Sequence, residues 1–124
     1  MSYVDADGVR IAYDDEGPRA DAAILCLTGW WMARGYYGPL AERLAARHKV
    51  ITLDWRGHGE SGRAPTDFGH EELADDAMAV IEASGVRRIV SVTQAHGGWA
   101  AVELRRRLGP GGARSVGRAV QPSP

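Results

Sequence analysis

The chain has 124 residues, of which 44% are hydrophobic and 25% charged, and a single cysteine, Cys26. That length suits one domain, and the composition is that of an ordinary globular fold, not of a disordered or fibrous chain. The uncharged apolar stretch at residues 22–33 is shorter than the about 20 apolar residues a bilayer crossing takes, so no membrane partner is expected. One cysteine builds no disulfide scaffold. The opening MSYVDADG has neither the basic nor the apolar region of a secretory signal, and the expected compartment is the cytoplasm. Charge is unevenly placed: residues 1–104 hold 10 basic and all 16 acidic groups, whereas residues 105–124 hold five arginines and no acid. Five charges with no aromatic between them make a poor nucleic-acid arm, and no nucleic-acid partner is expected.

In chain order, residues 3–5 and 9–14 flank Asp7-Gly8, a dipeptide that accepts the positive φ of a tight hairpin turn. Val9, Ile11 and Tyr13 alternate onto one face. The apolar run at 22–27 reads as a strand buried on both sides. A loop rich in glycine and aromatics follows, then a helix from Pro39 to near Arg47 with the stripes Leu40/Leu44 and Ala41/Ala45. Residues 50–53 read as a second buried strand, and 54–68 as a long loop punctuated by glycine and proline. Leu73, Ala77, Val80 and Ile81 set the period of a helix over 71–84, stopped by Gly85. Residues 89–92 form a third buried strand and 97–108 a third helix, facing inward with Ala101, Leu104 and Leu108. Strands alternating with helices after a hairpin imply an α/β fold: a mostly parallel sheet of about five strands with three helices. Residues 110–124 lack periodicity and are rich in Gly, Pro and Ser, so a disordered tail is expected after a domain spanning 1–109.

Three loops carry chemical signals. The turn Thr93-Gln94-Ala95-His96-Gly97 has the small-x-nucleophile-x-small form of a strand-to-helix nucleophile elbow. Ala95 stands at the nucleophile position and supplies no nucleophile. Leu27-Thr28-Gly29-Trp30 follows a buried strand and suits the second loop of an oxyanion hole. Asp54-Trp55-Arg56-Gly57-His58-Gly59-Glu60-Ser61-Gly62 matches a D-x-R-G-x-G-x-S loop over nine residues. Taken as ordinary parts, Trp99 reads equally well as core packing, His48 as a partner for a helix dipole, and Asp54 and Arg56 as braces for their loop. His58 and His70 have no ligand spacing, and no metal site is expected.

With these phrases the chain resembles the N-terminal half of an α/β-hydrolase-fold protein. It is most similar to the cofactor-independent dioxygenases that open 3-hydroxy-4-oxoquinoline rings, through Gly29-Trp30, Asp54-Trp55-Arg56-Gly57-His58-Gly59, Asp67-Phe68-Gly69 and His96-Gly97-Gly98-Trp99. The resemblance covers residues 3–109. It implies an oxyanion hole formed by the backbone N–H groups of Trp30 and His96. It also implies an aromatic substrate near Trp30, Trp31, Met32 and Trp99, a structural loop through Asp54, Arg56 and His58, and no cofactor. Two positions depart from the pattern: Thr28 stands where the fold usually has His, and Ala95 where it usually has Ser, Asp or Cys. In the family the acid and the catalytic His come from later strands, so the expected state of this chain is a truncated, inactive member.

Ala95 separates the chemistries. A hydrolase forms an ester at the elbow side chain, and alanine removes that step. In the dioxygenases a His base deprotonates the substrate hydroxyl, oxygen attacks the resulting carbanion, and the elbow Ser only donates a hydrogen bond. The reading is therefore ring-cleaving oxygenation as the family chemistry. The alternatives are an ester or other hydrolase, and a non-catalytic fragment that binds a small aromatic molecule or self-associates through an exposed edge strand at 88–93.

Overall fold

A computed structural model describes residues 1–118. The hairpin consists of β1 (Ser2–Ala6) and β2 (Val9–Glu16), paired antiparallel. Asp7 and Gly8 take φ of 48° and 88° at its turn, the double positive φ of a type I′ connection. Then come β3 (Ala22–Leu27), a short 3-10 turn (Arg34–Tyr37), α1 (Gly38–Leu44), β4 (Lys49–Leu53), α2 (His70–Ser84), β5 (Arg88–Gln94), α3 (Gly97–Leu108) and β6 (Ala113–Arg118). α1 is shorter than its apolar spacing predicts. It ends at Leu44, and Leu40, expected to face inward, is 40% exposed while Ala41 is buried.

The six strands lie in the order β1-β2-β4-β3-β5-β6, and β4, β3, β5 and β6 run parallel. Because the chain leaves β3 for β4 on one side and reaches β5 on the other, the order reverses at β3. Open α/β sheets bind ligands at such a switch point, beyond the carboxyl ends of the strands.

Period-two alternation divides the core. Leu25, Leu27, Ile51, Leu53 and Ile89 face one side with Leu73, Ala77 and Val80 of α2 and Ala101 and Leu104 of α3. Cys26 and Val50 face the other, with Tyr37 and Ala41. The strands are therefore covered on both faces, which explains their unbroken apolar runs. Each large side chain buried this way contributes about 1.5–3 kcal/mol. Burial pushes the Cys26 thiol up to about 11, so it stays protonated at neutral pH.

The C-terminal stretch differs from the sequence expectation. Residues 110–112 turn, the Ile89 N–H donates to the Gly112 carbonyl at 2.9 Å, and β6 pairs with β5 from Ile89↔Ala113 to Gln94↔Arg118. The sheet thus has a sixth strand, and β5 lies between β3 and β6 instead of at the edge expected for residues 88–93. Composition concealed β6 because parallel pairing uses backbone groups that any non-proline residue supplies, and ARSVGR lacks an apolar pattern. The rest of the expected tail, residues 119–124, lies outside the described residues. No helix among the described residues is long and apolar enough to cross a membrane.

Candidate functional site

The turn between β5 and α3 contains only Ala95 and His96. Ala95 takes φ 52°, a left-handed conformation that costs an L-residue about 1–2 kcal/mol. Such strain persists where the surroundings over-determine it, and here the neighbouring backbone leaves no slack. A Cβ on Gly97 would stand 2.6 Å from the Leu27 carbonyl oxygen and 2.8 Å from that of Thr28. Only glycine lets α3 begin so close to the end of β3.

The same closeness brings the loop after β3 onto the elbow, since a methyl on Gly29 would lie 3.1 Å from the Ala95 Cβ. Trp30 is the next residue, and its ring lies 5.9 Å from that of His96. Among the described residues, the N–H groups of Trp30 and His96 donate to no protein acceptor. Trp30, His96 and Trp99 line a pocket of about 240 Å³ together with His70 and Leu73. A larger hollow of about 440 Å³, lined by Asp14, Glu16, Arg34 and Glu42 among others, opens elsewhere. The smaller one adjoins the elbow, and chemistry outranks size in choosing between them.

Two residues expected near a substrate sit apart from this lining. Trp31 is 95% exposed with φ 66°, and its nearest ring is His58 at 6.3 Å. Met32 is half-buried beside Gly29.

The nine-residue loop is a bracing device. Arg56, 6% exposed, donates from Nε and Nη2 to the Asp76 carboxylate at 2.7–3.2 Å, and its backbone N–H adds a bond of 3.0 Å. This pins the loop to α2. Burial opposes the Arg56 charge, but the bonds to Asp76 outweigh it and hold the guanidinium above its usual range. Asp54, wholly buried, accepts from the Arg34 and Glu60 N–H groups at 2.6 and 2.9 Å and from the Arg34 guanidinium. Gly59 has φ 48°, and a Cβ there would meet the Asp54 carboxylate at 2.3 Å. The second glycine of the motif therefore makes room for this carboxylate. Ser61 donates to the Asp54 carbonyl at 2.6 Å and accepts from the Ala12 N–H at 2.9 Å, joining the loop to β2. The Trp55 indole donates to the Thr28 carbonyl at 2.8 Å.

His58 sits between the brace and the site. Its Nδ1 lies 3.0 Å from the Arg56 carbonyl and donates to it. Nε2 is buried without a partner among the described residues, and the ring packs 5.7 Å from Trp30, itself 5.4 Å from Phe68. His58 thus backs Trp30 without lining the pocket.

Sequence reasoning missed four residues. Asp76 belongs to a run of acids suited to a helix start and carries no separate mark. Arg34 sits between Ala33 and Gly35 in a loop, where a lone charge reads as solvated. His70 and Leu73 enter the pocket only because α2 begins beside α3, although the helical period already marked Leu73 as inward-facing. His96 was assigned a backbone role alone, and its ring also lines the pocket. Among the described residues no group of three His, Cys, Asp or Glu side chains is placed to hold a metal ion.

A left-handed elbow at the switch point of a mostly parallel sheet, with the glycine-bearing loop after β3 packed on it, is the strand-to-helix turn of an α/β-hydrolase-type fold. The chain belongs to the alpha/beta hydrolase fold family, whose model matches residues 22–103. Over 103 residues it is 37% identical to a 2-heptyl-3-hydroxy-4(1H)-quinolone dioxygenase of Mycobacteroides abscessus, covering 83% of this chain and 38% of that protein. Over 109 residues it is 31% identical to the 1H-3-hydroxy-4-oxoquinoline 2,4-dioxygenase of Pseudomonas putida, covering 88% of this chain and 41% of that one. A solved structure of AqDC, described for recognition and ring cleavage of the Pseudomonas quinolone signal, superposes with TM-score 0.90 at 31% identity. That match covers 100% of this chain and 48% of the other. The chain spans less than half the length of these relatives.

Proposed function

We propose that the pocket at the elbow binds a hydroxylated oxoquinoline-type heterocycle, and that the chemistry it belongs to is cofactor-independent ring-cleaving oxygenation. The observation that carries this reading is Ala95 at the apex of a fully formed elbow, beside N–H groups of Trp30 and His96 that have no protein acceptor among the described residues. An elbow kept in this geometry without a nucleophile is of no use for covalent acyl transfer. It still offers donors aimed at a carbonyl oxygen that gains negative charge when the neighbouring hydroxyl loses its proton. Trp30 and Trp99 supply flat apolar walls for a fused ring, and His70 and His96 supply polar edges.

For the described residues the reading is binding of such a ligand without turnover. A general base contributes about 10²–10⁴-fold and must reach the proton it takes. In the resembled family that base is a late histidine beyond the matched region. Titration of the 124-residue protein with 3-hydroxy-4-oxoquinoline, followed by tryptophan fluorescence and by oxygen consumption, tests both halves. Saturable quenching without oxygen uptake is expected. An absence of saturation refutes the binding reading, and oxygen uptake at a rate proportional to protein refutes the inactive state.

A further inference from the structure

The loop that delivers the Trp30 N–H to the elbow has little structure of its own. Between the end of β3 and the 3-10 turn, residues 28–33 contain no helix or strand, and Trp31 within them is left-handed at φ 66°. The loop is held at its two ends by adjacent residues of one segment. The Trp55 indole donates to the Thr28 carbonyl at 2.8 Å, and the Asp54 carboxylate accepts the Arg34 N–H at 2.6 Å.

The Arg34 side chain turns this grip into a junction. Its Nε donates to Asp14 of β2 at 2.8 Å, its Nη1 to Asp54, and its Nη2 to Glu60 at 2.9 Å. One planar guanidinium thus ties the loop to β2, to the end of β4 and to the motif loop. Without it, three carboxylates converge and Asp54, 0% exposed, is buried with no cation beside it. Breaking a buried pair from one side is the costly way to lose it. A lysine at this point reaches one carboxylate as a point charge, whereas the guanidinium fork reaches three.

We propose that Arg34 is a positioning residue that holds the Trp30 N–H against the elbow by fixing both the course of residues 29–33 and the left-handed turn at Trp31. This rests on the functional reading above for what the N–H is used for, but the fixing itself is a property of the ligand-free protein. Burial opposes the Arg34 charge, while its bonds to Asp14, Glu60 and Asp54 hold the guanidinium well above its usual range. It therefore stays charged at any working pH.

Amide NMR and hydrogen exchange on ligand-free wild type, Arg34→Gln and Arg34→Lys test the proposal. In Arg34→Gln the Trp30 and Trp31 amide resonances should shift and broaden, and exchange at the amides of position 34 and Tyr36, which donate to Asp54 and to the Ala33 carbonyl, should rise about tenfold or more while β3 and β5 stay protected. Arg34→Lys should fall between the two. With 3-hydroxy-4-oxoquinoline as probe, Arg34→Gln should bind about tenfold more weakly, through a misplaced donor. If the wild type itself binds no probe, the functional reading fails, and the amide comparison still judges Arg34. Should Arg34→Gln not fold, Asp14→Asn, which weakens the Nε contact and a 3.7 Å pair with the N-terminus, should move the Trp30 and Trp31 resonances in the same direction, with a smaller rise in exchange at the Arg34 and Tyr36 amides, about threefold. Unchanged Trp30 and Trp31 amides in folded Arg34→Gln, or in Asp14→Asn, overturn the proposal.

Discussion

Residues 54–62 and residues 29–33 lie side by side beyond the carboxyl ends of β4 and β3, yet they are held in different ways. In the first, charged and polar side chains are satisfied internally: Asp54 by Arg34 and the Glu60 N–H, Arg56 by Asp76, Ser61 by Asp54 and Ala12. In the second, Trp31 projects almost wholly into solvent with a strained backbone, and the Trp30 N–H has no acceptor among the described residues. The motif that is most conspicuous in the sequence is thus largely scaffold: its charged groups are committed to partners within the chain, with His58 Nε2 the exception. The loop it supports is the one whose free N–H the proposed function assigns to a bound carbonyl.

The contrast predicts that substitutions in the two loops separate stability from binding. Asp76→Ala leaves Arg56 buried and unpaired, so unfolding in denaturant should show a loss of about 3–5 kcal/mol. Gly97→Ala forces α3 away from the carbonyls of Leu27 and Thr28, and should cost about 1–3 kcal/mol in the same measurement, as overpacking does. Trp31→Gly should change stability by less than about 0.5 kcal/mol, because the indole is solvated and glycine relieves the left-handed strain. If Trp31→Gly proves as damaging as Asp76→Ala, the distinction between brace and rim disappears.

The smallest effect concerns Glu103. Its hydrogen bonds to Arg106 hold the carboxyl below the ordinary value of 4.5. A carboxyl whose folded value lies below its unfolded one adds stability above the unfolded value and loses it as pH falls through the folded value. The stability advantage of wild type over Glu103→Gln should therefore be constant near neutrality and shrink below about pH 4.5 in acid titrations of thermal unfolding. An advantage that grows with acidity contradicts the pairing.

The fold was largely legible in the sequence because two-sided burial and helical period leave strong marks. The run at 22–27 is β3 residue for residue, and 97–108 is α3. β6 left no mark, since its pairing rests on backbone groups. The motif loops were legible as positions but not as partnerships. Asp54 and Arg56 announced a structured loop, whereas Arg34, twenty residues from both Asp14 and Asp54, shares no periodic relation with either. His70 was legible only as a residue at a helix start, and the packing of α2 beside α3 is what brings it to the pocket. Local pattern specifies which backbone turns form. Tertiary packing decides which side chains meet across them.

The central claim, that the unpartnered N–H groups at the elbow form the binding site, is tested most directly by mapping amide shifts as 3-hydroxy-4-oxoquinoline is added to the labelled protein. The Trp30 and His96 amides should move furthest and downfield, as donors do on gaining a charged acceptor, and should saturate together with the Trp99 indole signal. Shifts gathered instead around Asp14, Arg34 and Glu42, or none at either place, would contradict it.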